Sequence, residues 1–174
     1  MKKSSVILMW GVITSIIMSA YSFAINAAGS TNKTLSYITF VIMFVGLLIG
    51  MRQFRDKVNG GYASFGELYK VGILMVLIIA VFSTLYFFIY LQVNPGFIDR
   101  IREQAQADMV NKGMTPEQME MGVKMMDKFT SPTAMVIFGL LGNLFFGAIV
   151  GLLAAGISSK AKPFTEGDNN SLPA

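Results

Sequence analysis

The stretch AMVIFGLLGNLFFGAIVGLLAAGI, residues 134–157, contains no charged side chain and no proline. A helix needs roughly 20 consecutive apolar residues to cross the hydrocarbon core of a bilayer, and this stretch is longer than that. A chain in lipid must also satisfy its own backbone hydrogen bonds, which a helix does. The stretch is therefore predicted to be a transmembrane helix.

Three further apolar runs come before it, at residues 6–27, 35–51 and 71–93. The run at 35–51 is the shortest, but Arg52 can extend its helix while the guanidinium reaches the membrane interface. No run contains Asp, Glu, Lys or Arg, which argues against an ion-coupled pump. We predict an all-α fold, an integral membrane four-helix bundle that forms a single transmembrane domain over residues 1–158.

The composition excludes several classes of function. Hydrophobic residues make up 53% of the chain and charged residues only 14%, which is unusual for a soluble domain. The absence of Cys and His removes disulfides, thiolate nucleophiles and the usual ligands of zinc and haem. We therefore assign no catalytic residue, no metal site and no cofactor. A net charge of +4, carried beside apolar runs, also argues against a nucleic acid partner.

The positions of the basic residues predict the orientation, because Lys and Arg are enriched in the cytoplasmic flanks of membrane spans. An orientation with both chain ends inside, N-in and C-in, places most of the 14 basic residues in the cytoplasm. These are Lys2, Lys3, Arg52, Arg55, Lys57, Lys70, Lys160 and Lys162.

The first run has an alternative interpretation as a cleaved signal peptide. Lys2 and Lys3 precede it, and residues 26–29 offer small side chains for a peptidase. The apolar part of a signal peptide is usually about 7 to 15 residues long, and the run at 6–27 is longer. This length favours an uncleaved first helix.

The connecting segments carry local signals for helix ends. Ser64 and Glu67 have the spacing of a capping box, which starts the third helix near Phe65. That helix is predicted to end at Asn94, because the proline that follows disfavours helical geometry in the residue before it. Residues 159–174 are polar and unpatterned, so we predict a disordered cytoplasmic tail.

Residues 95–130 are predicted to form an amphipathic helical hairpin on the extracytoplasmic side. Asn94 is expected to cap its first helix, with Pro95 at the first helical position, and Thr115 to cap its second helix. The second helix has an apolar face made of Met119, Val123, Met126 and Phe129. We expect this face to rest on the bilayer interface or on the other helix, and a groove for a ligand or partner is the alternative.

Small residues recur at four-residue spacing in the spans, where they let helix backbones approach closely. A helix-packing role is predicted for Gly46, Gly50, Gly139, Asn143, Gly147 and Gly151. Asn143 lies near the middle of its span, where an unpaired amide is costly. The alternative to packing is a polar path that would be lined by Asn143, Thr14, Ser15, Ser19 and Asn26.

Several short motifs occur in a fixed order along the chain after its Lys-rich start. They are Arg52 to Asp56, Gly60-Gly61, Ser64-Phe65-Gly66-Glu67, Asn94-Pro95-Gly96-Phe97 and Ser131-Pro132. In this order and spacing the chain resembles the bacterial membrane proteins grouped as domain of unknown function 4199. The resemblance covers nearly the whole chain and implies four spans in the bacterial cytoplasmic (inner) membrane. It implies no activity and no functional residues.

Three classes of function remain. We rank first a non-enzymatic accessory or scaffold component that acts through helix packing and the outer hairpin. Its expected partners are the lipid bilayer and either another membrane protein or further copies of the same chain. A small permease or lipid-handling protein is the alternative, and an enzyme comes last, because catalysis needs converging ionisable groups. Arg52 and Arg55 flank a span and are expected to bind lipid head groups.

Overall fold

The computed structural model describes residues 2–28 and 33–162, which form six α-helices. The helices are α1 (Lys3–Ala27), α2 (Lys33–Lys57), α3 (Phe65–Val93), α4 (Gly96–Asn111), α5 (Pro116–Phe129) and α6 (Pro132–Ser158). Four of them, α1, α2, α3 and α6, are long and apolar enough to cross a membrane. Within the described ranges there is no β-strand, and the predicted all-α bundle with four spans is confirmed.

Local capping interactions set two helix starts as predicted. The Ser64 hydroxyl accepts from the backbone N–H of Glu67 at 3.3 Å, and the Glu67 carboxylate accepts from the backbone N–H of Ser64 at 2.8 Å. Thr115 and Gln118 form the same reciprocal pair at the start of α5. Each pair satisfies two N–H groups near the start of its helix, so both predicted starts are confirmed.

The predicted cap of α4 is wrong. Asn94 ends α3 instead, because its backbone N–H and its side-chain amide both donate to the Tyr90 carbonyl, at 3.0 and 3.3 Å. Pro95 has helical geometry (φ −61°, ψ −30°) and occupies the cap position, so α4 begins at Gly96 without a side-chain cap. The Asn94 side chain is turned toward α3 by its Nδ2 donation, and it does not occupy the cap position of α4.

The four long helices form a bundle in which α1 and α6 occupy opposite corners. Each of these two helices packs against both α2 and α3. The starts of α1 and α3 and the ends of α2 and α6 meet at one end of the bundle, here called the closed end. The other end, where α1 and α3 finish, is called the cavity end.

The closed end contains the tightly packed core. Leu47 and Met51 of α2, Leu68 and Val71 of α3 and Ala154 of α6 have no exposed surface. Helices in lipid gain little from the hydrophobic effect between themselves, so close packing of this kind is what holds the bundle together.

Polar contacts fasten the helix ends at the closed end. The indole N–H of Trp10 donates to the side-chain carbonyl of Gln53 and joins α1 to α2. Ala63 and Lys160 exchange two backbone hydrogen bonds of 3.0 and 2.9 Å, which tie the loop before α3 to the chain after α6. Of the tail predicted at 159–174, residues 163–174 lie outside the described residues.

The hairpin of α4 and α5 lies against the cavity end. Phe97 of α4 packs edge-on against Tyr90 of α3 with ring centroids 5.2 Å apart. Arg102 donates to the Thr130 hydroxyl at 3.2 Å and pairs with Asp127 at 3.2 Å, which links α4 to the end of α5. No side chain of the two hairpin helices is fully buried. The hairpin is therefore a surface layer on the bundle.

Candidate functional site

The cavity end of the bundle contains a half-open cavity of about 340 Å³. All four long helices line it, each with residues from the half that lies at this end. Its polar side chains come from α1 (Ser19, Ser22, Asn26), α2 (Thr39), α3 (Ser83, Thr84, Tyr86, Tyr90) and α6 (Asn143). Hydroxyl and amide groups from every span therefore converge on one space inside the bundle.

Three hydroxyl groups at the cavity wall have no hydrogen-bond partner. The oxygens are Ser83 Oγ, Thr84 Oγ1 and Tyr86 Oη, and all three are buried without a partner among the described residues. A hydroxyl in a helix often bonds to the carbonyl one turn earlier, and these do not. Buried polar groups in native proteins are nearly always paired. Thr14 Oγ1 and Ser158 Oγ, which lie in tight helix contacts, also have no partner among the described residues, so unpaired hydroxyls are not confined to the cavity.

Aromatic contacts connect the cavity lining to the hairpin of α4 and α5. Tyr86 and Tyr90 lie one turn apart on α3, with ring centroids separated by 6.0 Å. Phe87 also lines the cavity, and it contacts Phe97 of α4 with ring centroids 6.2 Å apart. Two aromatic contacts, Phe87–Phe97 and Tyr90–Phe97, therefore join the cavity lining to the first turn of α4.

The cavity is suited to an uncharged ligand. Among the described residues that line it, none is Asp, Glu, Lys or Arg. No group of three acidic side chains in the described part of the chain is placed to hold a metal ion. Hydroxyls, amides and aromatic faces bind through hydrogen bonds and dispersion, and they offer nothing to balance a full charge.

The six residues predicted to pack helices have different surroundings in the structure. Gly46 faces Thr14 of α1, Gly50 faces Met75 of α3, and Gly147 faces Val76 of α3. Gly151 lies near Tyr69, at an ordinary contact distance of 3.8 Å. Gly139 has open space around it and lines the cavity, as does Asn143.

The residues of the predicted polar path are divided between two environments. Ser19 and Asn26 line the cavity together with Asn143. Thr14 instead faces Gly46, with 1% of its surface exposed, and the Ser15 hydroxyl donates to the Val12 carbonyl at 2.8 Å. Ser19, Asn26 and Asn143 therefore lie together at the cavity. Thr14 and Ser15 are instead engaged in helix contacts.

The residues on the α3 side of the cavity were not predicted from the sequence. Ser83, Thr84 and Tyr86 all lie in the apolar run that was interpreted only as a span. The available signal was the FSTLY stretch at residues 82–86, which places three hydroxyl groups within five positions of a transmembrane segment. Such a cluster in lipid requires partners, as Asn143 did.

The two arginines predicted to bind lipid head groups differ in their surroundings. Arg52 is exposed. Arg55 makes two contacts to Asp56, at 2.7 and 3.1 Å, and donates from Nη1 to the Ser158 carbonyl at 2.7 Å. The Arg55 guanidinium therefore joins the end of α2 to the end of α6.

Comparisons with known proteins give one match. No curated protein and no solved structure matches the chain. The profile of the family described as Protein of unknown function (DUF4199) matches residues 9–160, a range that contains the four spans almost completely, the cavity and the hairpin. The chain therefore belongs to the DUF4199 family.

Proposed function

We propose that this chain is a non-enzymatic accessory protein of the membrane that holds an amphipathic molecule in the cavity. The observation that carries the proposal is the convergence of hydroxyl and amide side chains from all four spans on one cavity of about 340 Å³. A hydrogen bond to a ligand there contributes about 0.5 to 1.5 kcal/mol, so several such groups together can hold one molecule.

The packing at the closed end supports a binding role over a permease. A permease requires a path past this end of the bundle, and Leu47, Met51 and Leu68 fill it without exposed surface. An enzyme would require ionisable groups at the reacting position, and the described lining offers hydroxyls and amides. Binding and release of a molecule at the cavity end are consistent with the filled closed end and with a lining of hydroxyls and amides.

A docking role for the hairpin is the second candidate function. Met121, Met125 and Phe129 form an apolar stripe along α5 at four-residue spacing, and they are 67%, 63% and 50% exposed. This stripe is separate from Met119, Val123 and Met126, which are half-buried. A flexible methionine surface is suited to the bilayer interface, to another membrane protein or to a second copy of this chain.

The proposal places the protein in the bacterial inner membrane with both ends in the cytoplasm and the cavity end outside. Since the chain has no Cys, single cysteines report the orientation directly. A cysteine at Gln106 should react with an impermeant maleimide added to intact cells, and one at Ala161 should react only after the cells are lysed. Both positions are exposed, so accessibility is matched. Reaction of the cysteine at position 161 in intact cells would show that the protein has the opposite orientation.

Filling the cavity should remove the bound molecule. Gly139 lines the cavity and has no neighbour within 4 Å of an added Cβ, so Gly139→Leu places apolar volume there without a clash at the Cβ. We expect mass spectrometry of protein extracted in mild detergent to show at least a tenfold lower occupancy of co-purified amphiphile in this variant.

Gly142→Leu is the matched control for that measurement. Gly142 lies on the same helix and also has open space at its Cβ, but it does not line the cavity. This variant should retain the occupancy of the unmodified protein. Equal occupancy in all three proteins, or no bound amphiphile in any, would contradict the proposed function.

A further inference from the structure

A second, apolar depression lies on the lipid-facing side of the bundle between α1 and α3. This α1–α3 groove has a volume of about 500 Å³ and runs alongside the cavity. Its walls include Ile16 and Phe23 from α1 and Phe82, Leu85 and Ile89 from α3. Since both helices cross the membrane, the groove is open to the acyl chains of the surrounding lipid.

Two residues line both the groove and the cavity. Ser19 of α1 and Tyr86 of α3 belong to each lining, so these side chains form part of the wall between the two spaces. Because serine is small, the α1 side of this wall contains few side-chain atoms. On the α3 side, the Tyr86 hydroxyl is one of the buried oxygens without a partner. The shared part of the wall therefore consists of one small and one aromatic side chain, and the aromatic one has an unused hydrogen-bonding group.

The chemistry on the two sides of the wall is different. The described cavity lining offers hydroxyls from α1, α2 and α3 and the amides of Asn26 and Asn143. The groove is lined by aliphatic and aromatic side chains, apart from Ser15, Ser19 and Tyr86. A molecule that spans the wall needs a polar head on one side and a hydrocarbon chain on the other, which is the plan of a lipid.

The head of such a lipid must be uncharged. Neither lining contains Asp, Glu, Lys or Arg among the described residues. A phosphate held there would lose part of its hydration without gaining a counter-charge, which is unfavourable. Hydroxyl and ester oxygens can instead pair with the serine, threonine and tyrosine hydroxyls one by one.

We propose that the cavity takes the head of an uncharged glycerolipid of the diacylglycerol type, which enters sideways from the bilayer through the wall of Ser19 and Tyr86 and leaves an acyl chain in the α1–α3 groove. This inference rests on the proposed function, because it presupposes that the cavity binds an amphiphile. It adds the route of entry and the chemical class of the head group.

The test uses the full chain in phosphatidylcholine liposomes with a diacylglycerol that has a diazirine in one acyl chain. After irradiation, mass spectrometry should place the crosslinks on the groove faces of α1 and α3, near Phe23 and Leu85. A phosphatidic acid with the same chains should label these sites at least tenfold less. Equal labelling by the two probes would overturn the uncharged head group, and crosslinks on the lipid faces of α2 and α6 would overturn the route.

Variants of the wall separate the route from the binding site. Ser19→Phe thickens the wall and should slow groove labelling at least tenfold, whereas Ala24→Phe, at an exposed position of α1 that lines neither space, should not. Tyr86→Ala removes the other side of the wall together with a hydroxyl that pairs with the head. It should therefore raise the initial labelling rate at least threefold, a gain that a misfolded protein would not show, while lowering the labelling reached at equilibrium. Unchanged rates in both wall variants would overturn the lateral entry.

Gly139→Leu distinguishes failure of this inference from failure of the proposed function. If it abolishes labelling while the wall variants behave like the unmodified protein, the cavity binds the lipid but the lipid reaches it by another route. If Gly139→Leu also leaves the labelling unchanged, the cavity is not the binding site, and both proposals are wrong.

Discussion

Replacing Gly46 with alanine should lower the free energy of unfolding of the detergent-solubilised bundle by roughly 1 to 3 kcal/mol. A Cβ added at Gly46 would overlap Thr14 Oγ1 and would lie 2.9 Å from Thr14 Cβ. Rotation of the threonine side chain moves its outer atoms but not its Cβ, so the helices α1 and α2 must move apart. Thermal unfolding followed by circular dichroism measures the change.

Gly156→Ala is the control for the Gly46 variant. Gly156 is exposed near the end of α6 and has nothing within 4 Å of an added Cβ. Alanine is favoured over glycine in a helix interior by up to about 1 kcal/mol, so this variant should be as stable as the unmodified protein or slightly more so. Combining Gly46→Ala with Thr14→Ala should recover part of the loss. Equal destabilisation at positions 46 and 156 would show that close approach is not the cause.

The elements that the sequence predicted well are those set by local chemistry. The start of α3 depends on Ser64 and Glu67, which are three residues apart, and its end depends on Asn94 and the proline after it. Such signals act within one turn, so they can be recognised without knowledge of the tertiary structure. The Asn94 cap failed for the same reason, because two helices compete for one side chain and the sequence does not show which of them binds it.

The sequence did not predict which small residues pack, because helix axes do not stay at a constant distance. Gly139 and Gly147 lie on one stripe of α6, separated by about 12 Å along the axis. A Cβ at Gly147 would lie 2.5 Å from Val76, whereas one at Gly139 would meet nothing. A spacing pattern identifies a face of a helix, and the positions of the neighbouring helices decide where along that face the contact occurs.

Part of the cavity lining was named from the sequence only in the alternative interpretation, the polar path, and the α3 part was not named for a physical reason. Asn143 was singled out in the sequence because a side-chain amide in lipid needs hydrogen-bond partners from another helix. A serine or threonine hydroxyl can bond to its own helix backbone, so Ser83 and Thr84 were treated as neutral parts of a span. Only the absence of these bonds in the folded chain distinguishes the two residues from ordinary helix hydroxyls.

Removing the Arg55 side chain should have the second large effect on stability. Arg55 is mostly buried, with 18% of its side chain exposed, and Nη1 donates to the Ser158 carbonyl at 2.7 Å. Ser158 is the last residue of α6, where the helix leaves its final carbonyls without intrahelical partners and concentrates negative partial charge. Hydrogen bonds to charged groups contribute about 1.5 to 3 kcal/mol, so Arg55→Ala should lower the free energy of unfolding by that amount.

Arg52→Ala is the matched control, since Arg52 lies one turn earlier on α2 and is exposed. In detergent without anionic lipid it should leave the melting temperature nearly unchanged, while Arg55→Ala lowers it. Hydrogen exchange should also rise at the end of α6 and at the paired residues Ala63 and Lys160 in the Arg55 variant alone, because both interactions fasten the same helix end. If the two variants differ only after anionic lipid is added, Arg55 acts mainly as a head-group ligand, and its bond to α6 does not stabilise the fold.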